Sequence, residues 1–221
     1  MTIDDPAALR EGQQRHWSEV LAANPDMYGL EPSSAAIHAA EQFAVRGVTT
    51  VLELGAGQGR DTMFLGAQGF DLVALDYVDD AIATIHAKAA STGLANVTAR
   101  RHDVREPLPF SDASFDASYS HMLFCMALTT PEIMRLADET RRVLRPGGTV
   151  IYTVRHTGDA HYGTGVPHGD EMFEQGGFIV HFFDDELVQQ LAEGFELIEV
   201  ASFTEGDLPR RLWRVTMRKP D

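Results

Sequence analysis

Between residues 49 and 154 the apolar and polar positions alternate between two rhythms, short apolar runs and longer stretches at helical spacing. Residues 49–54 are predicted as a first strand and residues 59–68 as the helix that follows. Residues 71–75 form a second strand ending at Asp76, and Asp79 or Asp80 is expected to cap a helix reaching about Ser91. Residues 96–101 and 115–120 supply a third and a fourth strand. A helix over about 131–144, stopped by Arg-Pro-Gly-Gly, leads into a fifth over 149–154. Such alternation predicts a parallel sheet with helices on both faces. Right-handed crossovers then bring ligands to the carboxyl ends of the strands, where the strand order reverses.

The flanks follow other patterns. Leu9, Trp17, Val20 and Leu21 give residues 6–21 an amphipathic helical spacing that Asn24-Pro25 breaks, with a loop over 26–32 and a second helix capped by Ser33 or Ser34. Residues 1–46 are expected to form a helical cover over the mouth of the main fold, with Tyr28 looking inward, and residues 47–221 the core. In the tail, residues 178–183 are apolar and Asp184 can cap a helix to about Ala192. Two strand-like runs over 195–201 and 212–218 are expected to finish one sheet edge as an antiparallel pair.

Composition narrows the class. The 221 residues are 44% hydrophobic, enough for one domain with a sizeable core, and the net charge of -15 argues against a nucleic-acid surface. Arg141, Arg142 and Arg145 are assigned to the end of the helix before Pro146, where cations are favourable. The single cysteine, Cys125, lies in an apolar stretch and is expected as a buried thiol. With no apolar run of about 18 residues and no basic-then-apolar leader, a cytoplasmic protein without a membrane partner is expected.

The candidate chemistry centres on residues 51–61, where an apolar run ends at Glu53 and turns through Gly55, Gly57 and Gly59. Such a turn lets a ligand approach the main chain where a Cβ would collide. A dinucleotide fold spaces its glycines G-x-G-x-x-G; here they run G-x-G-x-G, and Asp76 ends the second strand. That spacing resembles the class I S-adenosylmethionine-dependent methyltransferases. His102-Asp103-Val104, the Leu108-Pro109-Phe110 to Phe115-Asp116 segment, and Leu144-Arg145-Pro146-Gly147-Gly148-Thr149 are similar to further segments of that family. Its small-molecule branch, which includes the ubiquinone-biosynthesis type, is the nearest in character.

The resemblance implies a single-domain α/β fold, a doubly wound, mostly parallel seven-stranded sheet with an antiparallel C-terminal edge hairpin. It implies S-adenosyl-L-methionine as cofactor, with S-adenosyl-L-homocysteine as product. Glu53 and Gly55 would face the methionine end, Gly57 and Gly59 would allow close approach, and Asp76 with Tyr77 would meet the ribose and adenine edge. Asp103 and Val104 would flank the adenine, Ser120 and His121 would lie beside the sulfonium, and Tyr28 would close over the site. Asp61 has two readings, a contact to the amino-acid end or a structural role at the helix start.

For the acceptor, a small molecule, His121 is the first candidate base and His156 the second, with Tyr28, Arg155, His161 and Tyr162 as candidate substrate contacts. A glycine- and histidine-bearing loop over 156–177 is expected to hang over the acceptor pocket as a lid. Its histidines match no zinc spacing, so no metal is assigned. Ser120-His121-Met122-Leu123 is not the Asn/Asp-Pro-Pro-Tyr/Phe segment of enzymes that methylate nucleic-acid or glutamine amino groups, and the lone cysteine disfavours an arsenite methyltransferase. Met122, Leu123, Phe124 and Met126 are read as core packing or the wall of an apolar pocket. The rival readings are an NAD-dependent oxidoreductase and a non-catalytic S-adenosylmethionine-binding protein; the oligomeric expectation is a monomer or homodimer.

Overall fold

The computed structural model describes residues 6–25, 27–206 and 210–221, the side chains of residues 6 and 7 excepted. Asp26 of the N-terminal loop, the first five residues of the expected cover and residues 207–209 of the tail link lie outside the described residues. Five parallel strands form the centre: β1 (Thr50–Leu54), β2 (Asp71–Asp76), β3 (Val97–Arg101), β4 (Phe115–His121) and β5 (Leu144–Arg155). Two further strands, β9 (Glu196–Glu205) and β10 (Arg210–Arg218), pair antiparallel at the edge. The order β3-β2-β1-β4-β5-β10-β9 reverses between β1 and β4. A ligand site is therefore expected above the carboxyl ends of those two strands.

Both faces of the sheet are covered, which explains the nearly continuous apolar character of β1 and β5. On one face α5 (Thr130–Val143) and α6 (Asp185–Leu191) pack Ile133, Leu136 and Val188 with Leu52, Leu54 and Val154. On the other, α2 (Ser34–Val45) and α3 (Arg60–Ala67) bring Ala36, Ala39, Phe43 and Leu65 against Val51, Tyr119 and Ile151. The second N-terminal helix is thus a layer of the core. Only α1 (Pro6–Ala23) and the loop after it reach across the mouth of the sheet, through Trp17, Leu21, Met27 and Tyr28.

Local capping matches the sequence in two places and departs from it in one. The Ser33 hydroxyl accepts the Ala36 N–H, and the Asp184 carboxylate accepts that of Leu187. Helix α4 (Asp79–Thr92), however, has Val78 at its N-cap; Asp79 and Asp80 lie in its first turn, where acidic charge suits the helix dipole. The end of α5 carries Arg141 and Arg142 as expected, whereas Arg145 reaches back to Asp116 at 2.6 Å. Asp116 also accepts both N–H groups of Thr49 and Thr50, pinning the start of β1 to β4.

The segment expected as a lid loop contains two short strands. β6 (Val166–Gly169), β7 (Met172–Gln175) and β8 (Phe178–His181) form a three-stranded antiparallel sheet of their own. This meander is locked to α1. Gln13 donates to the Gly177 carbonyl at 2.8 Å and accepts the Ile179 N–H at 3.3 Å, while His16 and Trp17 pack on Phe178 at ring separations of 4.5 and 4.8 Å. No helix among the described residues is long and apolar enough to cross a membrane.

Gly59 takes a left-handed φ of 81° as N-cap of α3, and a Cβ there would lie 2.7 Å from Ile85 Cγ1 of α4. Gly59→Ala is expected to lower folding stability by about 1–3 kcal/mol from backbone strain, before the steric clash is counted. A urea titration followed by far-UV circular dichroism checks it; an unchanged midpoint would refute the packing role.

Candidate active site

A cavity of 520 Å³ opens at the carboxyl ends of β1 and β4, where the strand order reverses. Its floor is the glycine turn. Gly55 and Gly57 adopt left-handed φ values of 73° and 52°, and the N–H groups of Gly55 and Ala56 both bond to Leu75 O. A Cβ at Gly55 would lie 2.8 Å from that of Leu123, whereas one at Gly57 would meet only the Tyr28 ring, at 3.7 Å. The main chain at Gly57 is therefore bare toward the cavity.

Asp76 fixes that turn. Its Oδ2 accepts the Gly57 N–H at 2.8 Å and its Oδ1 the Val78 N–H at 2.9 Å. Burial pushes its pKa up against these backbone bonds. Each oxygen keeps acceptor capacity beyond its backbone bond, and the residue lines the cavity. One oxygen thus caps the next turn, while the other serves the glycine turn.

Glu53, 3% exposed, takes a 2.6 Å bond from the Thr62 hydroxyl. Burial raises its pKa to about 8 despite that bond. Asp61 accepts from the Ser33 N–H at 2.8 Å, the Ser33 hydroxyl at 2.7 Å, the Tyr119 hydroxyl at 2.8 Å and Arg60 at 2.9 Å. Burial opposes its charge, but the Arg60 bonds prevail and hold its pKa down. That network ties the start of α2 to the start of α3, and Asp61 also lines the cavity, so both readings remain open to it.

At the end of β4, His121 Nε2 lies 3.0 Å from Glu205 Oε1 and Nδ1 lies 2.9 Å from Thr153 Oγ1. Arg155, at the end of β5, pairs with Asp159 and sits over the Phe182 ring at 5.1 Å. His161, Phe173, Gln175 and Phe182 complete that wall, and Trp17, Leu21, Tyr77 and Val78 line the opposite end.

The cavity thus gathers Tyr28, Glu53, Gly55, Gly57, Asp76, Tyr77, His121, Arg155 and His161 from the sequence expectations. Six others fall outside its lining. Gly59 packs on α4, and Ser120 is 1% exposed within the sheet. Asp103 turns to the Arg105 guanidinium at 3.2 Å, and Val104 joins the core beside Leu108. His156 stacks on Trp213 with ring centroids 4.5 Å apart and accepts the Gly158 N–H, so its position after β5 does not bring it to the site. Tyr162 stands behind the wall, edge-on to Phe173 and Phe182, and donates to Glu171 at 2.6 Å. Arg60, Glu205 and Arg210 line the cavity without having been singled out. Arg60 directly follows the last glycine of the turn, which was the available signal. Glu205 and Arg210 flank a hairpin turn whose sequence gives none.

The methyltransferase domain family matches residues 51–148, the stretch that builds the glycine turn, Asp76 and the end of β4. Over that stretch the chain is similar to the class I S-adenosylmethionine-dependent methyltransferases. Similar to it is an arsenite methyltransferase of Halobacterium salinarum, 37% identical over 105 residues that make up 46% of this chain and 26% of that protein. So is an uncharacterised protein of Mycobacterium tuberculosis, 32% identical over 61% of this chain and 53% of its own length. The chain spans from about a fifth to about half the length of the curated relatives it matches. The methyltransferase fold extends to the whole chain. A 1,6-didemethyltoxoflavin N1-methyltransferase of Burkholderia thailandensis, solved with 1,6-didemethyltoxoflavin and S-adenosylhomocysteine, superposes at a TM-score of 0.79. It covers 100% of this chain and 93% of its own, at 19% identity.

The cofactor of those enzymes fits what the cavity offers: a bare glycine turn, a buried carboxylate at the end of β2 and a carboxyl at Glu53 whose proton is held tightly beside the turn. Asp76→Ala is expected to weaken S-adenosylmethionine binding by roughly 1–3 kcal/mol, the range for charge-assisted hydrogen bonds; unchanged affinity by calorimetry would remove Asp76 from the site. Glu53 binds its proton more tightly folded than unfolded. Its contribution therefore favours the fold at low pH and fades as pH rises from 4.5 to about 8. Glu53→Gln keeps a partner for Thr62 and is expected to flatten the stability profile of the ligand-free protein across that window. An unaltered profile in denaturant titrations at several pH values would refute the assignment.

Proposed function

We propose that the chain transfers a methyl group from S-adenosylmethionine to a small-molecule acceptor, as a cytoplasmic monomer or homodimer. The observation that carries this reading is the convergence of the bare turn at Gly57, the Asp76 carboxylate and the His121–Glu205 pair in one cavity. When bound, the cofactor supplies an electrophilic methyl group on a sulfonium whose sulfide leaves readily. Asp76 would hold its ribose hydroxyls, Glu53 and the turn at Gly55 its methionine end, and Tyr77 with Val78 its adenine edge. The acceptor would lie beyond, among His121, Arg155 and His161 against Met122, Phe173 and Phe182. Alignment of the two partners is then the main contribution of the protein, worth about 7–11 kcal/mol in well-oriented systems. Wrapping the site in α1 and the meander keeps water out.

The charge of -15 supports a small molecule over a nucleic acid. Cys125 is fully buried and burial pushes its thiol up to about 11, so it offers no thiolate for arsenic chemistry. Among the described residues no three His, Cys, Asp or Glu side chains converge to hold a metal ion. Isothermal titration is expected to show binding of S-adenosylmethionine and S-adenosylhomocysteine and none of NAD. Binding of NAD alone would overturn the proposal.

A further inference from the structure

We propose that the group accepting the proton of the methyl acceptor is the Glu205 carboxylate, with His121 and Thr153 as its positioning residues, and that the acceptor is a nitrogen or oxygen nucleophile that arrives still bearing that proton. The inference rests on the methyl-transfer reading and adds the acceptor class to it.

It starts from the Thr153 hydroxyl. Thr153 is fully buried, and its Oγ1 accepts the Met122 N–H at 3.0 Å. A hydroxyl that has accepted can still donate, and in this proposal its proton goes to the partner at 2.9 Å, His121 Nδ1. With Nδ1 accepting, the ring carries its proton on Nε2 and donates it to Glu205 Oε1 at 3.0 Å. Both ring nitrogens are therefore engaged and no imidazole lone pair faces the cavity.

Glu205 is the opposite case. It lines the cavity, and its Oε2 is buried with no hydrogen-bond partner among the described residues. A buried acceptor without a donor calls for one. Burial opposes its charge, but the His121 bond and the nearby Arg60 keep its pKa below the ordinary carboxylate range. Such a weak base takes a proton late. As the lone pair of an X–H group bonds to the methyl carbon, the carbon–sulfur bond breaks with its electrons on sulfur. The X–H proton, made strongly acidic by that bond, passes to Glu205 and then to solvent. An anionic thiolate would instead meet the Glu205 charge.

Side-chain nitrogen NMR of the ligand-free, full-length protein reads the geometry directly. The expected signal is His121 protonated on Nε2 and not on Nδ1, lost to a mixture of tautomers in Thr153→Val; a proton on Nδ1 in the wild type would overturn the proposal. Incubating the enzyme and labelled S-adenosylmethionine with cell extract is expected to give a product that gains CH2 net, a methyl in place of a proton. A product that gains a methyl as fixed positive charge would overturn it. Glu205→Gln, which can still accept from His121, is expected to lower kcat ~10²–10⁴-fold at unchanged cofactor affinity, and wild-type turnover would refute the role. If no extract component is methylated, the methyl-transfer reading fails, and the tautomer still decides the geometry.

Discussion

The site depends on one carboxylate that holds two pieces of main chain at once. Asp76 takes the Gly57 N–H on one oxygen and the Val78 N–H on the other. The loop after β1 and the loop after β2 are thereby drawn together across the top of the sheet. A buried charge is costly unless hydrogen bonds replace its water, and here backbone donors do so. The same bonds hold the glycine turn in its left-handed conformation beside the cavity that the carboxylate lines.

A second network does for the N-terminal segment what Asp76 does for the turn. Asp61 bonds Ser33, Tyr119 and Arg60, so the helix that starts at Ser34 is seated on the sheet by a charge-assisted cluster as well as by alanine packing. The loop carrying Tyr28 leads straight into that anchor, and Arg60 donates to the Tyr28 carbonyl at 3.3 Å. Position of the cover and shape of the floor are therefore coupled through adjacent residues of one helix start.

What the sequence disclosed, and what it hid, follows from the range of the interactions. The strands and helices of the core were legible because burial on both sheet faces imposes a continuous apolar run, and one-sided helices impose a 3.6 period. Glu53, Gly55, Gly57 and Asp76 reach the cavity as expected because all four lie at or just beyond strand ends, where the topology opens it. His156 had the same credentials, yet stacking on Trp213 of a strand far along the chain claims its ring. Asp103 was drawn away by Arg105, two residues on. The strands of the meander are four residues each and include Pro167, His168 and Gly169, too short and polar for a period to register. Glu205 could not be found from local pattern at all, since its partner His121 is 84 residues away.

Gln13 grips the meander through both a carbonyl and an N–H, and the rings of His16 and Trp17 close on Phe178. The helix above the cavity and the small sheet beside it are thereby buttoned together, although some 160 residues separate them. A molecule passing between those two elements would have to undo the whole seam, hydrogen bonds and ring contacts alike. On the side bounded by Tyr28 the contacts are fewer: Arg60 donates to the Tyr28 carbonyl and lies 5.8 Å from its ring, and Gln58 donates to the Asn24 carbonyl.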